Sequence, residues 1–170
     1  MENNAVFSVF VTNLGKYNEG YLVGRWVEFP TTQEHMQQVF TEIGLDGMRY
    51  EEYFITDYDS AIFGLTDCFG EFENLSMLNY LASMIQDMDY SIEQLEAMLE
   101  LGEYTGSVEE LINLIDNEEC FNYMPDIEDD YDLGYAWVEE MGIYGEELKR
   151  IGTLANYIDY EKFGRDIRLV

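Results

Sequence analysis

Residues 5–30 read AVFSVFVTNLGKYNEGYLVGRWVEFP, and how this stretch divides decides the fold of the N-terminal part. Residues 5–12 (AVFSVFVT) are rich in β-branched and aromatic side chains, which suit a pleated, half-buried surface. Residues 14–20 (LGKYNEG) carry turn chemistry, with Asn18 and Gly20 suited to positive φ. Residues 21–29 (YLVGRWVEF) are a second β-prone run, so the two predict a hairpin. Pro30 stops it, because proline cannot donate to a ladder. Lys16, Tyr17, Asn18 and Gly20 are therefore expected to specify a turn, and Trp26 to anchor a core.

Outward from the hairpin, Thr31 with Glu34 three residues on fits a capping box. Met36, Val39, Phe40 and Ile43 make one apolar helical stripe, which Gly44 would end. Residues 53–56 (YFIT) supply a third strand. The period then changes: Leu75, Leu78, Leu81, Ala82, Ile85 and Met88 recur at three- and four-residue spacing, as in an amphipathic helix. Ser91 with Gln94 opens a second helix that turns Ile92, Leu95, Met98 and Leu99 inward, and Ser107 with Glu110 opens a third on Val108, Leu111, Leu114 and Ile115. Gly102 and Gly106 bracket the loop between them. The acidic run 126–132 (DIEDDYD) leads into a helix bearing Tyr135, Val138 and Met141, followed by 146–151 (EELKRI) and by helix and turn over 156–167.

The class is α+β, an elongated chain of small domains. An N-terminal α/β domain (1–70) with a three-stranded sheet and a helix precedes a helical bundle (71–106) and a C-terminal mixed acidic domain (107–170). With 47% hydrophobic residues, 14 Tyr, 10 Phe and 2 Trp, the 170-residue chain can bury enough apolar surface to fold. Cys68 and Cys120 are too few and too far apart for a disulfide framework or zinc site, and read as reduced, partly buried thiols. No stretch approaches ~18 apolar residues, so no membrane span is expected. The opening MENNAVFSVF lacks the basic leader of a signal peptide, which predicts a cytoplasmic protein.

Charge is the unusual quantity. Thirty-six Asp and Glu face eight Lys and Arg, a formal charge of −28. Duplex DNA carries one charge per ~1.7 Å, so the same charge belongs to roughly 48 Å of duplex, about 14 base pairs. Such a surface repels nucleic acid and anionic membranes and attracts proteins built to hold polyanions. Between Arg49 and Lys149 there is no Lys or Arg, and 27 of the 36 carboxylates lie in that interval. An ordinary acidic helix intersperses bases for spaced ion pairs worth ~0.2–0.5 kcal/mol each, and this stretch forgoes them. Halophilic adaptation also makes proteins acidic, but does not explain so many large aromatics.

The helix after Ser91 would carry Glu93, Glu96, Glu100 and Glu103 as an outward stripe at spacings of three, four and three. At ~1.5 Å rise per residue, neighbouring carboxylates are ~4.5–6 Å apart along the axis, comparable to phosphates on one DNA strand. Glu109, Glu110, Asp116, Glu118 and Glu119 continue the row, and Asp126, Glu128, Asp129, Asp130, Asp132, Glu139 and Glu140 extend it. Outward Glu on one helix is ordinarily a solvated face. Over a long base-free interval, the pattern instead suggests a non-catalytic imitation of DNA, aimed at a basic cleft.

Other chemistry is sparse. His35 is the single histidine, expected on the polar side of the first helix as a surface residue. No phosphate loop, dinucleotide fingerprint, nucleophile elbow or zinc motif occurs, and no cofactor is expected. A carboxylate pair could hydrolyse a glycoside, but among 36 carboxylates that signal has no specificity. Glu128, Asp130, Asp132 and Glu139 occupy positions 1, 3, 5 and 12 of a calcium-loop frame, with Leu133 where the turn needs Gly. A calcium-binding module is the alternative from a different class.

Residues 11–30 (VTNLGKYNEGYLVGRWVEFP) resemble the opening of the ArdA-type antirestriction proteins, with a strand, a KYN-G turn and a strand carrying Trp. Residues 156–167 (NYIDYEKFGRDI) are similar to that family's segment near the C-terminus, and EEYFITDYD at 51–59 agrees in order and spacing. The central helices match in acidity and layout more than in letters. The resemblance implies three small domains in a curved arrangement, and a homodimer whose acidic surface imitates bent duplex DNA. It implies occupation of the DNA-binding methyltransferase core of type I restriction–modification enzymes as the function, and no binding of nucleic acid itself. The family's short antirestriction motif would fall near 99–114, including Glu100, Glu103, Glu109 and Glu110, where subunit contact also matters. Family members continue past the GRD segment with an apolar stretch not present after Val170, which weighs against the dimer. On charge alone, another DNA-handling target such as an RNA-guided nuclease would serve equally.

Overall fold

The computed structural model describes residues 5–142 and 144–168. The chain divides into two compact units, Met1–Asn122 and Tyr123–Val170. The first is built on a three-stranded antiparallel sheet with β1 (Phe7–Asn13) in the centre, flanked by β2 (Gly24–Phe29) and β3 (Tyr53–Ser60). Phe7 pairs with Phe29, Val9 with Val27 and Val11 with Arg25. Strand alternation puts Phe7, Val9, Val11, Val27, Phe29 and Ile55 on one face, all buried. Toward β3 the register shifts: Phe10 faces Asp57 and Val11 faces Ile55, leaving Thr56 as the extra residue of a β-bulge.

The KYN segment differs from its expected form. Instead of a plain turn it is a short helix, α1 (Leu14–Asn18), whose N-cap Asn13 accepts the Lys16 N–H at 2.9 Å. Asn13 is fully buried and donates from Nδ2 to the Ile43 carbonyl at 3.1 Å. Lys16 Nζ donates to the same oxygen at 3.2 Å. Ile43 ends helix α2 (Gln33–Ile43), where carbonyls lack partners within the helix and the dipole favours a cation, so α1 closes α2. Gly44 takes the expected left-handed conformation there, φ 79°. At the other end of α2 the cap is Thr32 and not Thr31: Thr32 accepts from the His35 N–H at 3.2 Å. The Thr31 N–H is instead drawn to Asn79 Oδ1 at 2.6 Å, tying the entry to α2 onto the next helix.

Helices α3 (Leu75–Asp87), α4 (Ile92–Leu101) and α5 (Val108–Asp116) form where the three-and-four spacing predicts them. Leu78, Leu81, Leu95, Val108 and Leu111 are fully buried and belong to the same hydrophobic cluster as the sheet residues and as Val39 and Ile43 of α2. One hydrophobic cluster thus runs from Phe7 of the sheet to Ile115 of α5. Between β3 and α3 an irregular segment buries Ile62 and Leu65. It is tied down by the Ile55 N–H on the Glu71 carbonyl at 2.7 Å and the Tyr58 hydroxyl on the Gly70 carbonyl at 2.7 Å.

The second unit holds α6 (Asp130–Tyr135), a π-helical turn (Ala136–Glu140), α7 (Gly145–Ile151), a 3-10 segment (Gly152–Tyr157) and α8 (Tyr160–Arg168). Helices α6 and α8 touch backbone to backbone. A Cβ on Gly134 would strike the Tyr160 carbonyl, and one on Gly164 the Asp130 carbonyl. Tyr131 and Tyr135 meet the Tyr160 ring edge-on at 5.6 and 5.4 Å. The sequence predicts a mixed C-terminal part; the described residues of this unit form helices and turns with no strand among them.

Candidate acidic docking surface

Helix α4 is capped by Ser91, which accepts the Gln94 N–H at 3.2 Å, and ends at left-handed Gly102, φ 74°. Its buried side is Leu95, Met98 and Leu99, which leaves Glu93, Glu96 and Glu100 within one outward stripe. Glu103 lies beyond the helix end, in the loop, so the stripe has three helical members and one from the turn. In that loop Tyr104 adopts positive φ (59°), unusual for a side chain of its size, and is exposed. Ser107 caps α5 by accepting the Glu110 N–H at 3.2 Å, and Glu109 and Asp116 stand seven residues apart on its exposed side. Capping fixes both helix starts, so the carboxylates project from rigid elements.

Of the sixteen carboxylates expected to face a target, Glu93, Glu100, Glu103, Glu109, Glu110, Asp116, Glu119, Asp126, Glu128, Asp129, Glu139 and Glu140 are exposed. Glu96, Glu118, Asp130 and Asp132 are half-buried. Several have tasks inside the protein. Glu96 accepts the Phe63 N–H at 2.8 Å, which holds the segment before α3 against α4. Glu110 accepts the Gly106 N–H at 2.8 Å and braces the loop. Asp129 caps α6 through the Asp132 N–H at 2.9 Å, and Asp132 accepts the Glu128 N–H at 3.2 Å. Asp130 forms an ion pair with Arg168 at 2.8 Å. Glu139 accepts the Tyr160 hydroxyl at 2.6 Å, and that bond pushes the Tyr160 phenol up to about 12.

These assignments remove the calcium loop. Asp130, Asp132 and Glu139 sit on α6 and the π turn after it, two of them already engaged with backbone or Arg168, so the frame is helical where a loop would have to wrap an ion. Among the described residues no group of three or more His, Cys, Asp or Glu is placed to hold a metal.

All three bases of the first unit are engaged within it. Lys16 closes α2, Arg25 pairs with Glu42 at 3.0 Å, and Arg49 pairs with Glu19 at 2.8 Å. The Tyr50 hydroxyl donates to Glu19 at 2.9 Å, and with Arg49 it holds the Glu19 carboxyl below its ordinary range. Residues 50–122 carry 18 Asp and Glu and no base. His35 is exposed on α2, as expected. Cys68 is partly buried and Cys120 exposed, both free thiols.

One acidic area is not legible in the sequence at the level of elements. Trp26, expected in the core, is 46% exposed on the opposite face of the sheet, edge-on to Phe10 at 5.3 Å. Ser8, Glu28, Asp57 and Asp59 share that face by register. The signal was the alternation of Asp57 and Asp59 in β3, hidden because the strand runs past the bulge at Thr56 to Ser60.

No helix of the described residues is long and apolar enough to cross a membrane. A search of curated proteins finds no match. A model of the family described as antirestriction protein (ArdA) matches residues 9–170. With nearly all of the N-terminal sheet, the KYN clasp and the base-free acidic helices inside the matched span, the chain belongs to the ArdA family of antirestriction proteins.

Proposed function

We propose that this antirestriction protein is a stoichiometric mimic of duplex DNA that occupies the DNA-binding methyltransferase core of a type I restriction–modification enzyme. The observation that carries this reading is the base-free interval: 27 carboxylates between Arg49 and Lys149, many displayed on capped helices with no neighbouring cation. A cleft that binds DNA holds condensed positive charge, and complementary fields raise association rates by ~10–1,000-fold. The stripe on α4 spaces carboxylates ~4.5–6 Å along the axis, which lets one helix present charge at about two-thirds the density of a single nucleic-acid strand, which carries one per ~3.4 Å. Family membership supports restriction as the system acted on.

Reversing Glu93, Glu100, Glu103 and Glu109 to Lys tests the assignment. Glu96 is left intact because it holds the Phe63 N–H. The reversal is expected to weaken inhibition of a type I enzyme by at least about tenfold, since close charge pairs at interfaces couple strongly. Unchanged potency in a variant whose circular dichroism is native would contradict it.

A further inference from the structure

Among the described residues of the first unit, no helix packs over most of the outer face of the N-terminal sheet, where Trp26, Glu28, Asp57 and Asp59 are exposed. The inner face packs on α2 and α3, while α1 reaches only the far end of the outer one, where Tyr17 lies edge-on to Phe54 at 4.9 Å. Two cross-strand rows form the open part, Glu28–Ser8–Asp59 and Trp26–Phe10–Asp57. With strands ~4.8 Å apart and alternate residues ~6.8 Å apart, Glu28, Asp59, Asp57 and Trp26 stand at the corners of a patch roughly 10 by 7 Å. Together with His35 on the rim they line a recess of about 660 Å³. The Trp26 ring lines that recess and is set by its edge-on contact with Phe10, an aromatic plate that a solvated acidic surface has no need of. Asp57 and Asp59 are both exposed, and Arg25, the base on β2, points to the other face and pairs with Glu42.

Carboxylates beside an exposed aromatic plate complement one side chain above others. A guanidinium is planar, weakly hydrated and rich in donors, so it stacks on a ring while its edge hydrogen-bonds to carboxylates. A lysine ammonium satisfies the charges but not the plate. We propose that this face is a docking site for an arginine of the protein partner, stacking on Trp26 with Asp57 and Asp59 holding its donors. The identity of the partner rests on the reading given above; the chemistry of the face does not. It makes the outer face of the N-terminal sheet a specificity contact, distinct from the long-range attraction of the acidic helices.

The test uses the full chain with Trp137→Phe, so that Trp26 is the only tryptophan, and titrates hexa-arginine or hexa-lysine at pH 8 and about 0.15 M salt, where distant charges are screened. Expected are a saturable change in Trp26 emission with hexa-arginine and about fivefold weaker binding of hexa-lysine. Asp57→Asn with Asp59→Asn should remove that preference, whereas Glu51→Gln with Glu52→Gln, equal in charge lost, should keep it. Equal response to the two peptides, or a preference that survives Asp57→Asn with Asp59→Asn, overturns the proposal. Failure of the chain to inhibit a restriction enzyme would leave this titration unmoved, so the two failures are distinguishable. In a DNA-displacement assay the Asp57→Asn, Asp59→Asn variant should need about threefold more protein than the Glu51→Gln, Glu52→Gln variant, and equality would overturn the use of this face against the target.

Discussion

Asn13 makes its hydrogen bonds wholly inside the protein, to Lys16 N and the Ile43 carbonyl, with no exposure to water. Asn13→Ala leaves a helix start and a helix end unsatisfied together, and should cost about 2 kcal/mol in denaturant unfolding, within the range for buried polar groups that lose partners. Tyr160 sets a pH dependence at the alkaline end. Its ordinary value of 10.0 is raised to about 12 by the hydrogen bond to Glu139. The unfolded chain therefore loses this proton first. The stabilisation is complete below about pH 10 and is lost as pH rises toward about 12. Tyr160→Phe should flatten that part of the alkaline unfolding curve read at Trp137; an unchanged curve would show the bond to be inconsequential. At this scale the sequence was a fair guide to side chains with local roles, such as Ser91, Ser107 and Gly44. It misplaced Trp26, because a large aromatic in a strand reads as core until the register says which face it occupies.

Elements with a clean period were legible. The inward stripes of α3, α4 and α5 follow directly from leucine spacing, and each predicted cap of α4 and α5 is made. The failures lie where local pattern and tertiary contact compete. Residues 14–18 carry turn chemistry yet form a helix because Asn13 and Lys16 are held by the end of α2. The bulge at Thr56 breaks the alternation of β3, so the strand looked finished four residues early. In the second unit the decisive residues are glycines, whose role is invisible without a partner helix. Gly164→Ala forces a methyl into the Asp130 carbonyl across the α6–α8 contact. Overpacking of this kind should cost about 2–3 kcal/mol or more. Trp137, in the second unit, should report earlier unfolding, while Trp26 in the first keeps its midpoint; coincident loss of both signals would contradict independent units.

For the molecule as a whole, charge acts in two opposed ways. Self-repulsion at a formal −28 strains the compact state, while the same charge draws a basic cleft. Added salt screens both. Raising it from about 0.02 to 0.5 M should stabilise the fold by about 1–2 kcal/mol, or roughly 3–6 °C in midpoint, while weakening inhibition. A fall in midpoint over that range would mean that ion pairs outweigh repulsion. The net charge and the base-free interval were legible in the sequence. The extent of the first unit was not: a core joining Phe7 to Ile115 depends on long-range packing that no local break in composition announces. Which of the expected carboxylates brace the fold was not legible either, since Glu96, Glu110, Asp130 and Asp132 look like every other outward carboxylate until their partners are seen.

Competition with DNA for the target by charge is read most simply as displacement. Purified protein is titrated into a complex of labelled duplex DNA with a type I methyltransferase core, across a salt series. Release of DNA at low salt that fades as salt rises is the predicted result. DNA that stays bound at low salt, or release indifferent to salt, would rule out mimicry of DNA by charge.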